Sequence, residues 1–155
     1  MNKTFENCTL LDTFTWFQKA FPQPVAKNFT TQLGVHLEEV AEMLETLEGT
    51  DVHTRNMLSN AILSLQDLGD HLKAQEGSIE IANEVELLDA LCDQIVTATG
   101  VAYMRGHDVV GAMTEVNASN FSKFDDNGNP IYNANLKLMK GPRYFKPVLT
   151  PFLPK

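Results

Sequence analysis

Apolar residues recur at spacings of three and four along most of this chain, the signature of helices that bury one face. From about 10 to 21, Phe14, Trp16, Phe17 and Phe21 are the large residues of a short helix, which Pro22 and Pro24 end. From about 27 to 47, Leu33, Leu37, Val40, Leu44 and Leu47 form one stripe, and Gly49 is a stop signal. Asp51 or Thr54 caps a third helix. Its apolar positions Met57, Leu58, Ala61, Ile62, Leu65, Leu68 and Leu72 continue until just before Gly77. A fourth helix, about 81 to 104, is the most hydrophobic of the set. A fifth starts at the cap candidate Asp108 and runs through Phe121.

After Lys123 the pattern changes. Asp125-Asp126-Asn127-Gly128-Asn129-Pro130 is a turn cluster. The remainder carries Pro142, Pro147, Pro151 and Pro154 and reads as a short hairpin and an extended arm. The expected fold is therefore all-α: an antiparallel bundle of four to five helices over about 10–122, with a C-terminal hairpin and Pro-rich arm over about 123–155. With 155 residues, a single domain is expected.

Composition narrows the function classes. Apolar content is 43 % and charged content 21 %, ordinary for a globular chain. No apolar run is long enough to span a bilayer, and the N-terminus lacks the pattern of a signal peptide. Cys8 and Cys92 do not make a disulfide framework; Cys92 reads as a small core residue. A reducing cytoplasm is the expected compartment. A formal net charge of −8 argues against nucleic-acid binding. An acidic protein can still take a polyphosphate, given bridging metal ions and a few local Lys or Arg residues.

Two acidic clusters carry the candidate chemistry. Glu38, Glu39 and Glu42 fall on the second helix; Glu86, Asp89 and Asp93 fall on the fourth. Carboxylates three or four residues apart share a helix face. On spacing alone, a solvated face accounts for the first cluster. The second differs, because from Leu87 to Met104 the only charged residues are Asp89 and Asp93. They lie roughly opposite the apolar face of Leu87, Leu88, Leu91, Ile95, Ala98 and Ala102. A helix apolar on nearly all sides is expected to be buried, and buried carboxylates need a cation. All-oxygen donors suit Mg²⁺ or Mn²⁺, and also Ca²⁺. A di-iron bundle needs Glu-x-x-His, and none of His36, His53, His71 and His107 has Glu three residues before it. An EF-hand starting at Asp125 fails at Pro130, where Gly is needed, and at Leu136, where Glu is needed. There is no P-loop and no Gly-x-Ser-x-Gly elbow.

Glu38-Glu39-x-x-Glu42 followed by a later acidic motif ending in Asp resembles the MazG-like all-α nucleoside triphosphate pyrophosphohydrolases, a superfamily that includes dimeric dUTP and dCTP pyrophosphatases. The second motif, usually Glu-x-x-Asp, admits two registers. Glu86-Leu87-Leu88-Asp89 fits the letters, whereas Asp93, followed by QIVTATGVAYMRGHD, fits the context. In the second register the Glu position falls on Ala90, with Asp89 one residue earlier. The stretch from Glu115 to Pro147 resembles the C-terminal part of bacterial and phage members, where polar residues contact nucleotide phosphates.

The resemblance implies hydrolysis of a (deoxy)nucleoside triphosphate to the monophosphate and pyrophosphate. Two or three Mg²⁺ or Mn²⁺ ions per site would be held by Glu38, Glu39, Glu42, Asp93 and Asp89, with Glu86 next in order. Glu39 would take the proton of the attacking water. Asn117, Asn120, Lys123, Lys140 and Arg143 match phosphate-contacting positions, with Tyr144 and Lys146 in the same arm. Trp16, Phe17 and Phe21 read first as core residues of the first helix; stacking on a base is their alternative use. The fold implies a homodimer or homotetramer, with the arm lying on a neighbour or folding back on its own chain. Two other readings stay open: a non-catalytic acidic bundle that binds a partner or nucleotide, and a pyrophosphohydrolase of a phosphoribosyl-nucleotide.

Overall fold

A computed structural model describes residues 9–75, 78–133 and 138–155. Cys8, the expected stop at Gly77, and Leu136 lie outside the described residues. Among those described, the chain is all-helical with five α-helices and no strand. They are α1 Thr9–Ala20, α2 Ala26–Glu45, α3 Val52–Ala74, α4 Glu84–Met104 and α5 Val109–Phe121, followed by a short 3-10 helix Thr150–Phe152. The chain divides into two compact units: Gln23–Asn83, and the N-terminal stretch to Pro22 with Glu84–Lys155.

The Gln23–Asn83 unit is a hairpin of α2 and α3. Asn28 caps the start of α2 by accepting from the Val25 amide at 2.9 Å. Asp51 caps α3, accepting from the Thr54 amide at 2.9 Å and its hydroxyl at 2.7 Å. Those bonds to Thr54 hold the Asp51 carboxyl below its ordinary value. The two helices cross at a pair of glycines. A Cβ on Gly34 would lie 2.5 Å from the Gly69 carbonyl oxygen, and one on Gly69 2.9 Å from the Gly34 carbonyl oxygen. Only hydrogen at both positions allows this backbone approach. Ala41 and Leu72 are buried nearby, at 0 % and 2 % exposure.

In the other unit α1 packs on α5. Its core joins Trp16, Ala20 and Phe124, with Phe17, Phe21, Phe121 and Leu138 against them. Trp16 stacks on Phe124 at 6.2 Å between centroids, and its indole N–H donates to the Asn120 carbonyl at 2.9 Å. Trp16 and Phe17 of α1, and Phe21 just past its end, thus belong to the core, whereas Phe14 is 59 % exposed. Asp108 caps α5 through the Gly111 amide at 3.0 Å.

The turn and the arm follow the same unit. Asp125 accepts from the amides of Asn127 and Asn129 at 2.9 and 2.8 Å, and Gly128 takes φ +80°, where glycine is favoured. An isolated antiparallel bridge pairs Tyr132 with Leu138. The arm then runs along α5. Ser119 donates to the Phe145 carbonyl at 2.7 Å, Ser122 accepts from the Phe145 amide at 3.2 Å, and Glu115 accepts from the Val148 amide at 3.1 Å. Farther on, the Phe152 carbonyl accepts from the Asp108 amide at 2.9 Å. Of the two placements open to the arm, the fold-back on its own unit is the one seen here.

The expected burial of α4 is not met. No residue of this helix is buried, and Cys92, expected in a core, is exposed. The physical reason is local: within its unit α4 packs only lightly, on α5. Leu88 is 65 % exposed, Ile95 49 % and Tyr103 74 %.

Candidate functional site

Of the acidic residues of α2, Glu38 faces α3, whereas Glu39 and Glu42 are open to solvent. Helical geometry sets Glu38 and Glu42 one turn apart on one face, with Glu39 about 100° round from Glu38. Glu38 is half-buried, whereas Glu39 and Glu42 are exposed. The Glu38 carboxylate pairs with the Lys73 ammonium of α3 at 3.1 Å, and Lys73 also pairs with Asp70 at 2.9 Å. Bonds to Asp70 first and Glu38 second raise the Lys73 pKa. A resident ammonium therefore compensates part of this acidic surface.

That triad was not read from the sequence. Lys73 stands 35 residues from Glu38, and only the α2–α3 crossing joins them. Two glycines inside apolar helical stripes, Gly34 and Gly69, were the available signal.

The triad gives a pH-dependent term. Lys73 titrates higher in the folded chain than its ordinary 10.5. Its contribution is complete below that value and disappears as pH rises through the raised one. The stability difference between wild type and Lys73→Met, measured by urea melts from pH ~8 to ~12, is expected to shrink at the alkaline end.

On α4, Asp89 and Asp93 are one turn apart and exposed, and Glu86 is exposed in the first turn. The desolvation expected for these carboxylates is absent, because α4 itself is uncovered. The Thr97 hydroxyl donates to the Asp93 carbonyl, not to its side chain, at 2.8 Å. Among the described residues, no three His, Cys, Asp or Glu side chains gather closely enough to hold a metal ion. The carboxylates of α2, and separately those of α4, supply oxygen alone, the donor type that suits a hard cation.

The polar positions after α4 divide by role. Asn117 is 4 % exposed and ties α5 to α1. Its Oδ1 accepts from the Thr13 hydroxyl at 2.9 Å and its amide donates to the Thr9 carbonyl at 2.9 Å. Both polar ends of the Asn117 side chain are thus engaged in holding α5 to α1. Asn117→Ala is expected to cost about 1 kcal/mol, since it removes both bonds from α5 to α1 while the Thr13 hydroxyl keeps its bond to the Thr9 carbonyl, and a urea melt checks this. Asn120 accepts from the Lys123 ammonium at 2.8 Å, and Lys123 also lies 5.5 Å from the Trp16 ring centre. The remaining basic residues are nearer solvent. Arg143 pairs with Asp126 at 2.8 Å, and Lys140 sits 4.5 Å over the Tyr144 ring.

Trp16 offers no open ring face for a base, being 9 % exposed and stacked on Phe124. Phe17 and Phe21 pack at 6.3 Å and border the same core. No described helix is long and apolar enough to cross a membrane. Comparison of the chain with protein-family models, curated proteins and solved structures finds no match.

Proposed function

We propose that this chain is a metal-dependent pyrophosphohydrolase that cleaves a (deoxy)nucleoside triphosphate to the monophosphate and pyrophosphate. The observation that carries the proposal is the all-carboxylate set on helix faces. Glu38, Glu39 and Glu42 stand on α2, and Asp93 and Asp89 on α4, in the order of the MazG-like motifs. These five residues are the proposed ligands for two or three Mg²⁺ or Mn²⁺ ions per site. When bound, such ions supply charge neutralisation and Lewis acidity toward phosphoryl oxygens.

The chain's own groups do the remainder. Glu39 is exposed, while Glu38 is tied to Lys73. Glu39 is therefore the better placed to accept the proton of an attacking water. Lys140 and Arg143 are exposed cations suited to the charge on the departing pyrophosphate, with Lys123 and Asn120 as a further polar pair. Dimer or tetramer formation belongs to the same proposal, as does a role in adjusting or cleaning a nucleotide pool.

The Lys73 triad favours a second reading, in which the same acidic surface binds a nucleotide or partner without hydrolysis. Incubation with the common NTPs and dNTPs, dUTP and a phosphoribosyl-nucleotide, in Mg²⁺ or Mn²⁺, followed by phosphorus NMR, tests the pair. Pyrophosphate with the matching monophosphate supports hydrolysis, and the best substrate identifies the pool. Absence of product with every nucleotide overturns it. Product only from a phosphoribosyl-nucleotide moves the substrate class.

A further inference from the structure

Lys140, Arg143, Lys146 and Lys155 are the charged residues of the stretch from Met139 to the end of the chain, which holds no Asp or Glu. In a chain of net charge −8, the place of this arm therefore decides where positive charge stands. That place is set by α5. Gly111, Glu115 and Ser119 of α5, and Ser122 at its end, recur at spacings of four, four and three and share one helix face. Ser122 accepts from the Phe145 amide at 3.2 Å, and Ser119 donates to the Phe145 carbonyl at 2.7 Å. Glu115 accepts from the Val148 amide at 3.1 Å. The Phe152 ring lies against Gly111, where a Cβ would be 2.7 Å from it.

The arm is fixed again before its first cations. A Cβ on Gly141 would lie 2.4 Å from the Phe124 carbonyl oxygen and 2.7 Å from that of Lys123. The Tyr144 amide donates to the Gly141 carbonyl at 3.1 Å, which closes a four-residue turn. Pro142 occupies its second position, where the proline ring presets φ, and Arg143 its third. Arg143 Nε pairs with Asp126 at 2.8 Å, which fixes the plane of the guanidinium. The Lys140 ammonium stands 4.5 Å from the Tyr144 ring centre. Two cations are thus carried on a turn clamped at Gly141 on one side and at Phe145 on the other.

We propose that Glu115, Ser119 and Ser122 are positioning residues: they hold the Gly141–Tyr144 turn in place and so raise the affinity of its cations for a polyphosphate that none of the three touches. The inference rests on the reading of Lys140 and Arg143 as polyphosphate contacts. The physical reason is preorganisation. An unattached arm would lose backbone freedom on meeting the anion, and that loss would weaken binding; the ladder on α5 orders the backbone beforehand.

Calorimetric titration of the full chain with inorganic triphosphate in Mg²⁺ tests this, because charge and positioning predict opposite signs at Glu115. Glu115→Leu removes a carboxylate, which on charge alone strengthens the binding of an anion. Loss of its bond to the arm is instead expected to weaken binding about fivefold, and Ser122→Ala to do the same. Glu115→Gln loses the charge but keeps an acceptor oxygen, and is expected to bind at least as tightly as wild type. Hydrogen exchange without triphosphate reports the ladder itself: the Phe145 and Val148 amides are expected to exchange faster in Glu115→Leu and not in Glu115→Gln. Tighter or unchanged binding in Glu115→Leu would overturn the proposal and leave Lys140 and Arg143 as contacts. So would equal weakening in Glu115→Gln. A wild type that does not bind triphosphate would overturn the polyphosphate reading and the proposal with it.

Discussion

Gly34→Ala is expected to destabilise the protein by about 2 kcal/mol, although alanine is the better helix former. Propensity alone favours the substitution by about 1 kcal/mol in a helix interior. The new Cβ, however, would lie 2.5 Å from the Gly69 carbonyl oxygen and 2.8 Å from the Lys73 side chain. The carbonyl belongs to the helix backbone and cannot rotate away. Restoring ordinary contact parts α2 from α3 by on the order of 0.8 Å at the crossing. Over-packing of this kind costs about 3 kcal/mol, so the clash outweighs propensity. The same displacement loosens the Lys73 bridge to Glu38. Gly100 is the internal control: it lies within α4 with nothing inside 4 Å of an added Cβ. Gly100→Ala is therefore expected to stabilise by about 1 kcal/mol. Urea melts of the two variants should move in opposite directions. A stabilised Gly34→Ala protein would mean that the helices do not meet at these glycines.

Glu39→Gln and Asp93→Asn are expected to lower pyrophosphate release by about 10³-fold or more while leaving the fold intact. Both side chains are exposed and both replacements keep their shape, so stability changes little. The two losses should differ in kind. Glu39→Gln removes the proton acceptor as well as one of the proposed oxygen ligands, so kcat stays low even at saturating metal. Asp93→Asn removes a charged oxygen ligand, so the Mn²⁺ concentration needed for half-maximal rate rises. Steady-state kinetics over a Mn²⁺ series separates these patterns. Unchanged turnover in Asp93→Asn would remove α4 from the site.

Helix boundaries were largely legible in the sequence because local chemistry sets them. Asp51 and Asp108 cap the helices that follow them. The proline pair ends α1, and Gly49 follows α2. The first turn expected of α4 is missing, since the helix begins at Glu84 and not near Ile81. The core reading of Trp16 was available from its place among aromatics. Its partner Phe124 was not, because that contact depends on how α5 returns to α1. Proline spacing identified an extended arm but not its resting place. That place is set by Glu115, Ser119 and Ser122, which occupy one face of α5 and bond the arm's backbone.

α4 shows where pattern reading stops. An all-round apolar helix demands cover, but periodicity does not say whether the cover comes from the same chain. The expected burial of Asp89 and Asp93 rested on that unstated step. The two carboxylates are exposed, so their candidacy rests on motif order and donor chemistry, not on desolvation.

The most direct test of the central claim is Mn²⁺ binding followed by electron paramagnetic resonance of the free ion. Wild type is compared with Asp93→Asn and Glu42→Gln, with and without a non-hydrolysable α,β-methylene deoxynucleotide. A carboxylate metal site predicts saturable uptake of about two or three ions per site, tighter with the nucleotide and weakened at least tenfold in both variants. Weak, non-saturating uptake that is equal in all three proteins would contradict it.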